Sequence, residues 1–347
     1  MLFICFIVFF HTLVLNFNDT KTLIFNKVAA LFLFITILVY IGSRPINGIF
    51  IDMTTYVHIF ERYKYGLFEI NDDIGFSYFI LFCTKVMTVQ WFFFISACIY
   101  IVPLYSACKR WFPDYYFFAF LLFVGSFSFF PYGVNGIRNG MATSLFILAI
   151  SYCGKNFYWM LFYLALSISF HTSLLLPMVA FLLTFYLTDS KKYVFIWVLS
   201  IFLSISMGEI WTELFAGVGF GDDRFNEYLT ADYGHSGGFR YDFLIYSAIP
   251  MGLALYFKFK KGFNDVTYDR ILHTYMITNA FWIMIIRANY SNRFAYLSWF
   301  LMAVVVIYPL LKGNLWTRQF IKTGVVILLY YGFTYGMFLY YDFELNK

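Results

Sequence analysis

YYFFAFLLFVGSFSFFPYGVNGIRNGMATSLFILAISYC, residues 115–153, holds two apolar runs, 115–131 and 138–153, on either side of a short segment of Gly and Asn around Arg138. With some tilt, each run approaches the length of about 20 residues that crosses a hydrocarbon layer of about 30 Å. Similar runs recur outward from this pair near 1–15, 25–42, 75–89, 91–108, 156–170, 172–187, 193–207, 241–257, 270–287, 294–311 and 320–340. They predict an all-α, polytopic integral membrane protein with about 11–13 transmembrane or re-entrant helices. The same pattern predicts a single membrane domain over 1–347 and a longer extracytoplasmic loop near 208–240.

Composition excludes a soluble domain. The 347 residues are 62% hydrophobic and 12% charged, with 48 Phe and 30 Tyr, far from soluble usage. Five cysteines, Cys5, Cys83, Cys98, Cys108 and Cys153, lie in or at the ends of apolar runs, so no disulfide scaffold is implied. The opening MLFICFIVFFHTLVLNF has neither a basic n-region nor a small-residue cleavage site, and reads as a retained helix. The net charge of +5 needs no nucleic-acid partner, because the cations fall in short loops.

Loop charge orients the chain from residue 109 onward. Loops 109–114, 154–156, 188–193, 258–270 and 312–319 carry 11 Lys or Arg, against 6 in 131–138, 208–240, 287–293 and the tail, so the first set is cytoplasmic. Eight of the 11 are Lys, whereas five of the 6 are Arg: Arg138, Arg224, Arg240, Arg287 and Arg293. Lys suffices for topology, while planar bidentate recognition of phosphate or carboxylate favours Arg. The plainer alternative for any one of them is an interfacial Arg snorkelling to headgroups.

Segment 43–74 has three cations and five acids, which favours the outer side, yet strict alternation back from residue 109 puts it inside. The outer placement is preferred: either one run between 75 and 108 does not cross fully, or the N-terminal runs are partly re-entrant. Asp52, Tyr56, Phe60 and Tyr63 fall at helical spacing, as on an amphipathic helix lying in the interface.

Four places carry candidate chemistry. Arg138 stands where a helix opens near Ile137–Asn139, after a loop marked by Pro131, Gly133 and Gly136. A cation there opposes the macrodipole by about 0.3–1 kcal/mol unless an anion binds too. Free backbone N–H groups and a guanidinium converging on one point suit phosphate. His171, in SFHTSLLLP, falls on the same predicted face, with Thr172 and Ser173 placed to cap the next helix. An imidazole there can take a proton or donate to a phosphate oxygen; a His simply bonded to a neighbouring helix is the alternative.

The third place is loop 208–240. Its glycines, aromatics and six acids suit a sugar-handling surface, with Asp222, Asp223, Arg224, Tyr228, His235 and Arg240 as the glycan-binding candidates. Two adjacent carboxylates without further oxygen ligands are a weak metal signal, and no metal site is assigned. The fourth is RANYSNRF, where Arg287 and Arg293 bracket a short turn as a paired clamp.

The order of an apolar run, NGIRNGMATSLFILAISY, a short basic loop and LALSISFHTSLLLPMVAF resembles the EpsG-like family of exopolysaccharide and O-antigen polymerases. In that family an Asn-x-x-Arg-Gln-like motif opens one helix and a Phe-His-x-Ser/Thr-Ala/Leu-like motif follows. The match is strong over 115–185 and weaker in RFNEYL, in NRFAYL and around Asp52; Asn139 stands where the family has Gln.

The resemblance implies a Wzy-type polymerase, a glycosyltransferase of the bacterial inner membrane, with a GT-C-like arrangement among the expectations. It would join undecaprenyl-pyrophosphate-linked oligosaccharide units of lipopolysaccharide O-antigen or exopolysaccharide at the outer face. Arg138, Arg287 and Arg293 would then hold the pyrophosphate, and His171 or Asp52 would act as base. No cofactor is implied; membrane lipid and a chain-length regulator protein are the expected partners. A flippase or transporter of lipid-linked sugars is the alternative from another class, and a glycan ligase the nearer one. The two halves show no repeat and the arginines gather at one face, which favours an enzyme.

Overall fold

A chain in hydrocarbon must satisfy its own N–H and C=O groups, and runs of Phe, Leu, Ile and Val do so as helices. The computed structural model describes residues 20–70, 72–217, 238–288 and 291–345, and every regular element among them is helical. In order these are α1 (Thr20–Gly42), α2 (Ile51–Lys64), α3 (Ile74–Val86), α4 (Val89–Trp111), α5 (Tyr116–Val124), α6 (Phe129–Val134), α7 (Ile137–Ser151) and α8 (Phe157–Phe170). There follow a 3-10 turn (Thr172–Leu174), α9 (Leu175–Leu183), α10 (Ser190–Gly217), α11 (Tyr241–Leu255), α12 (Val266–Met284), α13 (Ser291–Trp299), α14 (Met302–Lys312) and α15 (Gln319–Leu345).

Five described stretches are long and apolar enough to cross a membrane: Ile24–Gly42, Val89–Trp111, Ser190–Met207, Ser291–Lys312 and Gln319–Tyr340. Other apolar runs form shorter helices, and run 1–15 lies outside the described residues. The chain is an all-α, multi-pass membrane protein. On α1 the division of labour is visible: Asn26, Ala30, Ile37 and Ile41 are buried, while Phe32 and Tyr40 present an apolar face outward, as lipid contact requires.

The chain forms two compact units, one comprising residues up to Phe170 and from Val306 onward, the other His171–Val305. In the first, α4 and α7 run parallel: the Ser144 hydroxyl donates to the Tyr100 carbonyl, and Arg110 stacks over Tyr152 at 3.5 Å. α8 returns beside α7, with Ser167 Oγ donating to the Ala142 carbonyl at 2.7 Å. Such small polar contacts join membrane helices at roughly 0.6 kcal/mol each. Lys109, Arg110 and Lys155 therefore lie at one end, where Lys155 Nζ donates to the Arg110 carbonyl at 3.0 Å, and Arg138 lies at the other. This is the alternation that the loop charges ask for.

Segment 43–74 joins the Arg138 end. Gln90 Nε2, in the first turn of α4, donates to the Arg44 carbonyl at 3.0 Å, and Arg44 Nη2 donates to the Val134 carbonyl at 3.1 Å. Between 75 and 108, α3 is the shorter helix: its 13 residues span about 20 Å, and Phe76 and Phe79 both pack on Phe92 in the first turn of α4. The expected amphipathic helix is α2, with Met53, Tyr56, Phe60 and Tyr63 buried and His58, Arg62 and Lys64 exposed.

One expectation changes in detail. Pro131 and Gly133 sit within the short helix α6 rather than in an open loop, Pro131 in the first turn where no N–H is needed. The break narrows to Asn135–Gly136. α6 then lies so close over α7 that a Cβ at Gly140 would come within 2.5 Å of the Tyr132 carbonyl oxygen.

In the second unit α10 and α12 also run parallel. Ser190 Oγ meets His273 Nε2 at 2.7 Å, Trp197 Nε1 donates to Asn279 Oδ1 at 2.8 Å, and Arg287 Nη1 donates to the Ser204 carbonyl. Asn279 is fully buried, and its amide also donates to Ser247 Oγ at 3.1 Å and Ser298 Oγ at 3.0 Å, tying α10, α11, α12 and α13 together. Thr172 and Ser173 do not stand at the N-cap of α9: both lie in the 3-10 turn, and Leu174 occupies that position.

Candidate functional site

Three elements of the first unit converge on Arg138. α7 opens after Gly136 and carries Arg138 in its first turn, as the Gly-Ile-Arg spacing predicts. Arg138 Nη1 donates to Asp73 Oδ2 at 2.6 Å, and Nε donates to the Tyr56 hydroxyl at 3.2 Å. The Phe76 ring lies 5.8 Å from the guanidinium carbon and itself packs on Phe170 at the end of α8. Asp73 stands at the N-cap of α3 and Tyr56 on the buried stripe of α2.

The pair is enclosed: the side chains of Asp73 and Arg138 are 4% and 18% exposed. A fork held on one side by a carboxylate and a phenol keeps its remaining N–H groups in a fixed direction. Burial pushes the Tyr56 phenol above its ordinary pKa, and the charge of Arg138 offsets part of that, so Tyr56 is a neutral hydroxyl. It accepts from Arg138, and its own O–H is left to donate. The approach of α3 to α8 sets the position of Asp73. At Gly75 a Cβ would run into the Ser169 side chain and lie 2.9 Å from the Ser169 carbonyl oxygen.

Asp73 escaped the sequence reading, which counted it only as one of five acids. The signal was present in NDDIGF, an acidic pair set directly before an apolar run that opens Ile-Gly, the composition of a helix N-terminus. Asp52, the acid that was singled out, is half-buried in the first turn of α2, one turn before Tyr56.

In the second unit His171 is half-buried, with extended backbone, at the N-cap of the 3-10 turn. Arg287 points to the Ser204 carbonyl with its guanidinium 5.4 Å from the Phe239 ring, and Arg293 is exposed in the first turn of α13. Arg240 holds Asp242 in a two-point ion pair, 3.0 and 2.8 Å, and stacks on Phe243 at 3.9 Å. Asp222, Asp223, Arg224, Tyr228 and His235 lie outside the described residues. No group of three or more His, Cys, Asp or Glu able to hold a metal occurs among the described residues.

Helices of membrane-crossing length and a buried Arg–Asp pair at one end of a helical unit define a polytopic membrane protein with a polar site at the edge of its apolar layer. The EpsG family model matches residues 27–346, nearly the whole chain, and the protein belongs to that family, whose members are associated with polysaccharide polymerisation. No curated protein and no solved structure matches the chain.

Proposed function

We propose that this protein joins lipid-linked oligosaccharide repeat units at the outer face of a bacterial inner membrane, with undecaprenyl diphosphate as the carrier. The observation that carries the reading is the buried Arg138 guanidinium at the opening of α7, held in direction by Asp73 and Tyr56, in a family tied to polysaccharide polymerisation.

In the reaction, the bond between the anomeric carbon of the growing chain and its diphosphate oxygen breaks, and the acceptor hydroxyl oxygen of the next unit bonds to that carbon. Charge grows on the departing lipid diphosphate, and preorganised donors lower the barrier most where charge develops. Arg138 and the Tyr56 hydroxyl supply such donors. Asp52, in the same unit, takes the acceptor proton. Lys at position 138 brings a point charge without the fork that Asp73 and Tyr56 grip.

The test is gel separation of surface glycolipid from a null strain complemented with each variant, at equal membrane protein. The null strain should show single repeat units on the acceptor lipid and no ladder, and Arg138→Lys should fail to restore the ladder. Bare acceptor in the null strain, with units accumulating inside, would identify a defect in crossing the membrane and overturn the polymerase reading.

A further inference from the structure

The charges at the Arg138 end do not balance evenly. Arg138 is neutralised by Asp73, so the pair brings no net charge to an anion. Arg44, in the segment after α1, is 8% exposed, and no described carboxylate lies within ion-pair distance of it. It is held by neutral groups instead. Nη1 donates to the Ile41 carbonyl at 2.5 Å and Nη2 to the Val134 carbonyl at 3.1 Å, while the Phe50 and Phe93 rings lie 5.8 and 5.6 Å from its guanidinium carbon.

A guanidinium has five N–H donors, and here Nε is buried without a partner. Burial lowers the Arg44 pKa to about 10, which still leaves it charged at neutral pH. Proteins pair buried charges, because an isolated one is expensive. A second unmet group sits next in the chain to the carbonyl that Arg44 grips: Asn135 Oδ1 is buried without a partner. Turning that amide over presents its N–H₂ in the same place. Arg44 and Asn135 thus gather unmet polar groups at the break from which α7 and Arg138 start, and residues 45–49, next in the chain after Arg44, are all exposed.

We propose that Arg44 is the second cation of the diphosphate site, supplying the net positive charge that the neutral Arg138–Asp73 pair lacks, with the Asn135 amide donating beside it. This rests on the lipid-diphosphate reading above and deepens it. The two arginines differ in what they contribute. Arg138 gives direction to one phosphate, whereas Arg44 gives the uncompensated charge that distinguishes a diphosphate from a monophosphate.

The probes are farnesyl diphosphate and farnesyl monophosphate, titrated against the full chain purified in detergent. The wild-type protein should prefer the diphosphate, and Arg44→Gln should lose at least tenfold in diphosphate affinity with a much smaller loss for the monophosphate. The ratio within one variant is insensitive to the fraction of protein that is folded. Should Arg44→Gln not fold, Arg44→Lys carries the test, and a threefold or larger fall in the ratio supports the proposal. An unchanged ratio in the variant tested makes Arg44 a structural clip and overturns it. Wild-type protein that binds neither probe overturns the diphosphate reading itself, and this inference with it.

Discussion

Asp73→Asn leaves the outline of the buried pair nearly intact and removes half of its charge. Arg138 then keeps the Tyr56 hydroxyl and the Phe76 ring but loses its 2.6 Å partner. Breaking a fully buried ion pair costs about 3–5 kcal/mol, most of it the penalty of the charge left behind. The Arg138 side chain is 18% exposed, and water at that edge trims the penalty to about 2–3 kcal/mol. At about 2–4 °C per kcal/mol for a unit of this size, the melting temperature should fall by roughly 4–12 °C. Arg138→Gln should fall in the same direction, because it takes the opposite charge away from the buried Asp73 carboxylate. The double variant strands neither, so it should lose less than the sum, with a coupling of about 2 kcal/mol. Thermal unfolding in detergent, followed by tryptophan fluorescence, reads all three. Additive losses, within about 0.5 kcal/mol, would mean that the two side chains are not paired in the protein and would refute the reasoning.

Gly75→Ala drives a methyl into Ser169 and should destabilise by about 1–3 kcal/mol; because the Ser169 carbonyl oxygen is also close, Ser169→Gly should restore only part of the lost melting temperature. Asn279→Ala leaves the Trp197 indole N–H without its acceptor in a dry core and should cost about 1–3 kcal/mol, visible as a lower melting temperature. In a Cys-free background, a Cys at exposed Gly238 should react with an impermeant maleimide in outer-membrane-permeabilised cells, and one at exposed Asn314 should not; the reverse pattern overturns the orientation.

Much of this was legible in the sequence because bilayer physics leaves few choices. Apolar runs had to become helices, and loop charge foretold which loops share an end within each unit. The apolar positions of α2 and the opening of α7 at Ile137 followed from period and composition alone. What stayed hidden depends on partners distant in sequence. Asp73 becomes the partner of Arg138 because α3 packs against the first turn of α4, which no local pattern encodes. Pro131 reads as a loop residue because Gly133 and Gly136 follow it, yet a Pro in the first turn suits a helix equally well. Thr172 and Ser173 have the chemistry of caps, but the 3-10 turn moved the helix start past them.

The pair between Asp73 and Arg138 also sets an order of events during synthesis. Asp73 leaves the ribosome 65 residues ahead of Arg138, a lead of about 3–13 s at about 5–20 residues per second. Throughout that interval the carboxylate waits for the guanidinium that it pairs with. Arg138 ties α2 and α3 to α7 through Tyr56 and Asp73, so a chain cut short before residue 138 lacks both contacts.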